Sequence, residues 1–148
     1  MGARLLAEMH DALSAVLAEM QGAVADLEQV LSDERAALDQ ADAEALNRAG
    51  EQKQRLMHAL EQLDAERVQL SHNMDSPSDI HQQTWSGILK SLAACQQANQ
   101  RNGDIVEQRL QHVRRALAVL TGGKDEVDVY NPTGRVRGGF RSVSLAQA

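Results

Sequence analysis

The sequence predicts an all-α protein in which three long helices form an antiparallel, coiled-coil-like bundle. Apolar residues make up 43% of the 148 residues, but aromatic residues make up only 2%. Leu and Ala carry most of the apolar content, and side chains without a branch at Cβ lose little rotamer freedom in a helix. β-branched residues, which favour strands, are sparse. Apolar residues also recur at spacings of three and four, as in helices that pack side by side.

Chain length and residue pattern together predict one helical domain followed by a short tail. A chain of this length falls in the usual size range of a single domain. We expect a helical bundle over residues 1–122, with helices at about 5–38, 43–71 and 79–120. Residues 123–148 form the expected tail, which is either flexible or an arm that docks on a partner.

Two interleaved seven-residue repeats of apolar side chains predict the first helix. One repeat is Leu6, Leu13, Met20 and Leu27, and the other is Leu17, Val24, Leu31 and Leu38. Together they give the alternating three-and-four spacing of a coiled-coil seam. His10 lies on the same seam, where a core or edge histidine explains it better than a metal ligand.

The second helix is predicted to begin near Asp39 or Asp42, since both are residue types that cap helix N-termini. Its seam consists of Leu46, Ala49, Lys53, Leu56, Leu60, Leu63, Arg67 and Leu70. Two of these residues, Lys53 and Arg67, are charged. Their stems can cover apolar surface while their charges reach water or an acidic partner. Control of register in a helical hairpin is the simplest role for them.

The third helix is predicted to follow a break rich in turn-forming residues and to end at a glycine pair. Ser78 or Asp79 is a suitable N-cap, and Gly122-Gly123 suits a helix C-terminus. The stretch from Trp85 to Cys95 is expected to lie in the bundle core. Beyond it, the apolar stripe is interrupted by Asn99, Asn102 and Gly103. This interruption predicts either polar contacts across the bundle or a local bend.

The third helix is longer than the two helices that can cover it, so its C-terminal part is expected to stay partly exposed. The apolar residues of this part are Val106, Leu110, Val113, Leu117 and Leu120. An exposed apolar stripe is typical of a surface that binds a partner helix. Flanking arginines (Arg109, Arg114 and Arg115) could steer an acidic partner. The alternative is that the stripe packs on the first helix.

Charge and hydropathy exclude several classes of protein. Residues 1–78 hold 15 acidic and 6 basic side chains, a net charge of −9, which suits nucleic-acid phosphates poorly. No apolar run approaches the roughly 20 residues of a membrane span. The N-terminus lacks the pattern of a signal peptide. We therefore expect a cytoplasmic protein that binds no nucleic acid and does not insert into membranes.

Catalytic and metal-binding motifs are missing from the sequence. None of the five histidines has a Glu three residues before it, as a ferritin-like metal site would need. No glycine-rich phosphate loop occurs. Cys95, the single cysteine, rules out an internal disulfide and is expected to be a small core residue. We therefore expect neither an enzyme nor a cofactor.

Three groups of residues follow the pattern of one known family. In the second helix they are Lys53-x-x-Leu56, Leu60, Leu63, Arg67 and Leu70. In the third they are Trp85-x-x-Ile88-Leu89, Cys95, Asn99-x-x-Asn102-Gly103 and Ile105-Val106. In the tail they are Val129-Tyr130-Asn131-Pro132-Thr133-Gly134, where Asn131 replaces a common glycine. Together, from Leu5 to about Gly134, they resemble the FlgN-type flagellar export chaperones.

The resemblance implies a function and two kinds of partner. Such chaperones bind the hook–filament junction proteins FlgK and FlgL before export, hold their C-terminal helical segments and deliver them to the export apparatus. The C-terminal region of the family binds the substrate. A tyrosine in the tail is associated with docking on the export gate protein FlhA, which points here to Tyr130. Alternatively, Tyr130 is a turn residue that folds back on the bundle.

Two other hypotheses arise from the residues. The near-continuous heptads of the first two helices suit a structural coiled-coil oligomer or adaptor without an export role. Helix number and acidic content alone would suit a metal-binding helical enzyme. Binding to flagellar junction proteins distinguishes the chaperone from the adaptor, and a metal assay tests the enzyme.

Overall fold

A computed structural model describes residues 2–122, which fold into three α-helices. Helix α1 spans Ala3–Gln40, α2 spans Ala43–His72 and α3 spans Asp79–Thr121. The described residues contain no strand, so the predicted all-α fold class is confirmed. The predicted tail over residues 123–148, including Tyr130, lies outside the described part of the chain.

Helices α1 and α2 form a tight hairpin joined by Ala41 and Asp42. Ala41 adopts the left-handed conformation, with φ of 54°, which ends α1. The N–H of Asp42 then donates to the carbonyl of Ala37 at 2.9 Å. The carboxylate of Asp42 accepts from the N–H of Ala45 at 3.1 Å and so caps α2. These contacts reverse the chain within two residues and set α2 antiparallel to α1.

Helix α3 returns alongside α1 and runs in the same direction as α1. Ser14 contacts His81 near one end of the bundle, and Leu31 contacts Asn102 farther along both helices. Residues 73–78 connect α2 to α3, and the side chain of Ser78 caps α3 by accepting from the N–H of His81 at 3.3 Å. The three helices therefore run up, down and up, with each antiparallel to the next in sequence.

Helix α1 supplies most of the core because it packs against both other helices. Its seam residues Leu13, Met20 and Leu27 are the largest fully buried side chains in the described range. Ile88 and Cys95 of α3 are 2% and 4% exposed, so this part of α3 lies in the core as predicted. Burial of each large aliphatic side chain contributes roughly 1.5–3 kcal/mol.

Helix α3 continues beyond the hairpin turn of α1 and α2. Asn102 lies level with Glu34, so the end of α1 at Gln40 lies level with about residue 108 of α3. Helix α3 continues to Thr121. The remaining 13 or so residues extend about 20 Å at 1.5 Å per residue. We call residues 109–121 the α3 arm. No residue of α3 after Asn102 is buried.

Candidate functional site

The apolar stripe predicted to bind a partner runs from the end of the bundle onto the α3 arm. Val106 and Leu110, where the bundle ends, are half-buried. Farther along, Val113 is 55% exposed and Leu120 is 81% exposed, while Leu117 is half-buried. Val119 adds a further apolar side chain that is 83% exposed. The stripe thus continues the seam of the bundle onto a helix that α1 and α2 no longer reach.

The α3 arm is basic, whereas the hairpin that supports it is acidic. The arm contains Arg109, Arg114 and Arg115 and no acidic residue. Residues 1–78, which hold α1 and α2, carry a net charge of −9. An acidic segment of a partner is therefore attracted to the arm and repelled by the hairpin. Apolar and basic side chains together make the arm suited to an amphipathic helix with acidic flanks.

The three helices meet in a buried polar cluster just before the stripe begins. We call it the polar layer, and its members are Glu34, Lys53, Asn99 and Asn102. All four are at most 7% exposed. Lys53 Nζ donates to Glu34 Oε2 at 2.7 Å and to Asn99 Oδ1 at 3.0 Å. Asn102 Nδ2 donates to Glu34 Oε1 at 2.9 Å and to the carbonyl of Leu31 at 3.0 Å.

The polar layer explains why two asparagines interrupt the apolar stripe of α3. A buried ion pair is tolerated when further hydrogen bonds satisfy its remaining donors and acceptors. Asn102 supplies such a bond to Glu34, and Asn99 supplies one to Lys53. Of the two predicted explanations, polar contacts across the bundle are observed. Helix α3 is continuous through Gly103, whose added Cβ would meet nothing within 4 Å.

Glu34 is the member of the polar layer that sequence reasoning missed. A glutamate on a charged helix reads as a solvated surface residue, so it gave no reason to expect burial. One signal was available, however. Glu34 falls seven residues after Leu27 and therefore continues the repeat of Leu6, Leu13, Met20 and Leu27. A charge on a seam position predicts a buried partner of opposite charge, and Lys53 occupies the seam of α2.

The second charged seam residue, Arg67, joins α2 to α3 by another route. Its guanidinium lies 3.7 Å from the ring centroid of Trp85. Its Nε also donates to Asp64 Oδ1 at 2.8 Å. Cation–π contacts of this kind contribute about 0.5–2 kcal/mol, depending on how far they are shielded from water. The two charged seam residues of α2, Lys53 and Arg67, therefore both contact α3.

A histidine pair lies at the opposite end of the bundle from the α3 arm. The rings of His10 and His81 stack with centroids 5.4 Å apart. Ser14 Oγ and His81 Nε2 share a hydrogen bond of 2.8 Å. Burial, and secondarily the nearby His10, lowers the pKa of the His81 imidazole from its ordinary value of 6.5. His10 thus packs against another ring, as expected for an edge histidine.

Two further properties bear on chemistry at this bundle. Burial, with a smaller contribution from Glu28, raises the pKa of the Cys95 thiol to about 11, so the reactive thiolate is scarce at neutral pH. Within residues 2–122, no three His, Cys, Asp or Glu side chains are arranged to hold a metal ion.

None of the three described helices is both long enough and apolar enough to cross a lipid bilayer.

Comparison with known proteins identifies the family. A family model described as FlgN protein matches residues 9–138, which is most of the chain. No curated protein and no solved structure matches the chain. The match includes the polar layer, the pair of Arg67 and Trp85, and the α3 arm. The chain therefore belongs to the FlgN family of flagellar export chaperones.

Proposed function

We propose that this chain is a cytoplasmic chaperone that binds the hook–filament junction proteins FlgK and FlgL through the α3 arm. In this proposal the arm holds a C-terminal helical segment of the client, prevents its premature assembly and presents it to the export apparatus. Val106, Leu110, Val113, Leu117 and Leu120 form the binding stripe. No cofactor and no catalytic step are part of the proposal.

The observation that carries the proposal is the exposure of a seam-type apolar stripe beyond the hairpin. Val113 and Leu120 are 55% and 81% exposed, whereas seam residues of α1 such as Leu13 and Leu27 are 2% and 0% exposed. The arm thus has the pattern of a bundle helix without the partners that the bundle provides. A helix from a client can occupy the place that α1 and α2 leave open.

Electrostatics supports the same function. Arg109 and Arg115, which are exposed on the arm, favour a client helix with acidic residues beside its apolar face. Such contacts at the rim of an interface act mainly on the rate of association and weaken with salt. Secretion requires the client to dissociate from the chaperone. A small apolar interface with charged edges suits such reversible binding.

Direct binding to the clients tests the proposal. The purified chain is titrated calorimetrically with FlgK and with FlgL from the same organism, and each titration is repeated at higher salt. We expect binding to at least one client, with lower affinity as salt rises. Absence of binding to both clients under all of these conditions would refute the proposal.

The variant Leu117→Asp is expected to weaken client binding at least tenfold, since it places a charge within the apolar stripe. Tenfold corresponds to about 1.4 kcal/mol. Circular dichroism is expected to show unchanged helicity, because position 117 lies beyond the hairpin. Gln111→Asp is the matched control: it adds the same charge to an exposed position of the same arm. If Leu117→Asp binds as tightly as Gln111→Asp, the stripe does not contact the client.

We further propose that Tyr130 docks on the export gate protein FlhA. This residue lies outside the described range, and the proposal rests on the family to which the chain belongs. Tyr130→Ala is expected to reduce secretion of the client severalfold while the calorimetric affinity for the client is unchanged. A loss of client affinity in this variant would instead favour the alternative, in which Tyr130 folds back on the bundle.

The competing adaptor hypothesis loses its main support in the structure. The apolar heptad residues that motivated it are buried by contacts within one chain, because α1 packs its seam against α2 and α3. Light scattering distinguishes the two functions. An obligate oligomer that binds neither FlgK nor FlgL would favour the adaptor, whereas client binding favours the chaperone.

A further inference from the structure

We propose that the polar layer of Glu34, Lys53, Asn99 and Asn102 fixes the register of α3 and thereby sets how much of the α3 arm is presented to a client. The register itself is a property of the bundle alone. Only its consequence for client binding rests on the proposed function.

Apolar packing alone leaves the register of α3 ambiguous. The seam residues of α3 recur every seven positions in two series. One series is His81, Ile88, Cys95 and Asn102, and the other is Trp85, Leu92, Asn99 and Val106. The seam of α1 has the same seven-residue period. A shift of α3 by seven residues, about 10 Å along the axis, therefore keeps apolar side chains facing apolar side chains over most of the contact.

The connections of the chain restrain α2 but not α3. Helices α1 and α2 are joined by two residues, Ala41 and Asp42, whose hydrogen bonds fix the hairpin. Helix α3 is joined by residues 73–78. Six residues span up to roughly 20 Å when extended. Once Met74, which is 7% exposed, leaves the core, this connection can absorb a shift of about 10 Å, so the register of α3 depends on its side-chain contacts.

The polar layer provides the determinant nearest the arm, in addition to the Ser14–His81 hydrogen bond at the other end, because its bonds form in one register only. Moving α3 by seven residues in one direction brings Cys95 and Leu92 to the level of Glu34 and Lys53. The ion pair then loses both amide partners, while Asn99 moves to the level of Val106 and Asn102 moves to the end of α1. The opposite shift brings Val106 to the level of Lys53, which removes its amide acceptor, and replaces Asn102 with Arg109 beside Glu34. It also moves the two asparagines to the apolar levels of Leu92 and Cys95. Unsatisfied buried polar groups of this kind are among the costliest changes in a protein interior.

The register determines how much of the stripe the client meets. The arm extends about 13 residues beyond the hairpin. A shift of seven residues would roughly halve it or lengthen it by half. In the shorter form, Val113 would lie level with the end of α1, and only the last part of the stripe would remain free. The polar layer therefore acts as a positioning device, located next to the stripe but outside it.

Replacing the polar layer with apolar residues tests whether the layer determines the register of α3 rather than the stability of the bundle. The variant Glu34→Leu, Lys53→Met, Asn99→Leu, Asn102→Leu has no buried charge to satisfy. We expect its thermal midpoint to equal or exceed that of the wild type, as in other proteins whose buried ion pairs were replaced. We also expect α3 to occupy more than one register. Spin labels at the exposed positions Ala36 and Gln111 report the position of α3, with Cys95→Ala in every background.

Distances between the two labels are measured by pulsed electron paramagnetic resonance. The protein with the wild-type layer should give one narrow distribution of label-to-label distances. The apolar variant should show a second population whose distance differs by up to about 10 Å. Labels at Ala36 and Gln54, which report the α1–α2 hairpin, should give one unchanged distribution in both. A single unchanged α1–α3 distance in the folded apolar variant would overturn the proposal.

A second variant covers the case in which the fourfold replacement does not fold. Asn99→Leu with Asn102→Leu removes only the contribution of α3 and leaves the ion pair in place. Native and shifted registers then present similar apolar residues to Glu34 and Lys53, so two distances are again expected. Gln96→Leu with Gln97→Leu, at exposed positions of α3, is the matched control and should keep one distance. One distance in both variants would refute the inference.

Client binding is measured separately on the same proteins. We expect the apolar variant to bind the client at least threefold more weakly, since only part of its population presents the full stripe. If the wild type binds no client, the proposed function fails while the distance measurement still decides the register. If distances split but affinity is unchanged, the layer does not position the arm for the client, and that part of the proposal fails.

Discussion

Single residues in this bundle take their roles from what faces them across the interface. Lys53 and Lys90 are the same residue type, yet Lys53 is 4% exposed and bonds to two helices whereas Lys90 lies on the surface. The difference arises because Lys53 occupies a seam position and meets the carboxylate of Glu34 at 2.7 Å. A charge can be kept in the core only when such a partner is fixed at the same level.

The buried position of His81 predicts that the stability of the bundle depends on pH. The imidazole is buried against Ser14 and His10 of α1, and it shares a small cavity wall with Arg67 of α2. A proton on His81 would lie beside a second histidine in a buried site. Burial first, and then His10, accordingly lowers its pKa below 6.5. The unfolded chain therefore takes up a proton at a higher pH than the folded chain does.

The expected result is a free energy of unfolding that is constant well above pH 6.5 and falls as the pH drops below it. The fall ends once the pH is below the pKa of the folded state, where both states are protonated. Urea unfolding between pH 8 and pH 5 measures it. His81→Gln should flatten the profile, whereas His112→Gln, at an exposed position, should leave it unchanged. If the free energy of unfolding depends on pH in the same way in the wild type and in His81→Gln, His81 is not the group responsible.

At the scale of the helices, the boundary between α1 and α2 shows what local sequence can and cannot decide. Asp39 and Asp42 are both N-cap residue types, and the predicted helix over residues 43–71 already favours Asp42. The structure selects Asp42, which accepts from the N–H of Ala45, while Asp39 pairs with Arg35 on the surface. Only the backbone conformation distinguishes them, because an N-cap residue must be extended rather than helical.

Asp42→Ala is therefore expected to lower the free energy of unfolding by about 1 kcal/mol, within a usual range of about 0.5–2 kcal/mol for N-caps. Asp39→Ala should cost less, since exposed i,i+4 ion pairs contribute about 0.3–0.5 kcal/mol. Urea denaturation of both variants provides the comparison. Equal losses would show that the cap does not limit the stability of the hairpin.

Helix number and the apolar faces follow from the sequence because both depend on local periodicity. Leu13, Met20 and Leu27 were placed on one seam from spacing alone, and all three are buried. Spacing predicts which residues lie on the same face of a helix. It does not predict which residues of a neighbouring helix they contact. The contact of Asn102 with Glu34 spans 68 positions, so it was accessible only from the packed structure. Nothing in the structure explains why position 103 is a glycine.

At the scale of the whole molecule, the burial pattern predicts a gradient of local stability along α3. Ile88, Cys95 and Asn102 anchor the first part of the helix, and no residue beyond Asn102 is buried. Regions with few buried contacts open with lower free energies than the core does. The molecule thus combines a firmly packed three-helix bundle with a single helix that lacks packing partners within the described range.

Amide hydrogen exchange should reveal this gradient directly. We expect the slowest exchange in the middle of α1, near Leu27, and progressively faster exchange beyond Asn102 toward Thr121. Addition of a client should slow exchange in the α3 arm while the protection of α1 changes little. Uniform protection along α3 in the free protein would contradict the gradient, and an unchanged arm in the complex would place the client elsewhere.

The parallel course of α1 and α3 has a practical consequence for anchoring this chaperone. Because α1 is 38 residues long, its first turn lies about 57 Å along the bundle axis from the end at which the arm emerges. A surface tether or fluorescent fusion placed before α1 is thus held at the far end of a rigid rod. Single-molecule pulling or surface binding experiments attached there would leave the whole α3 arm accessible.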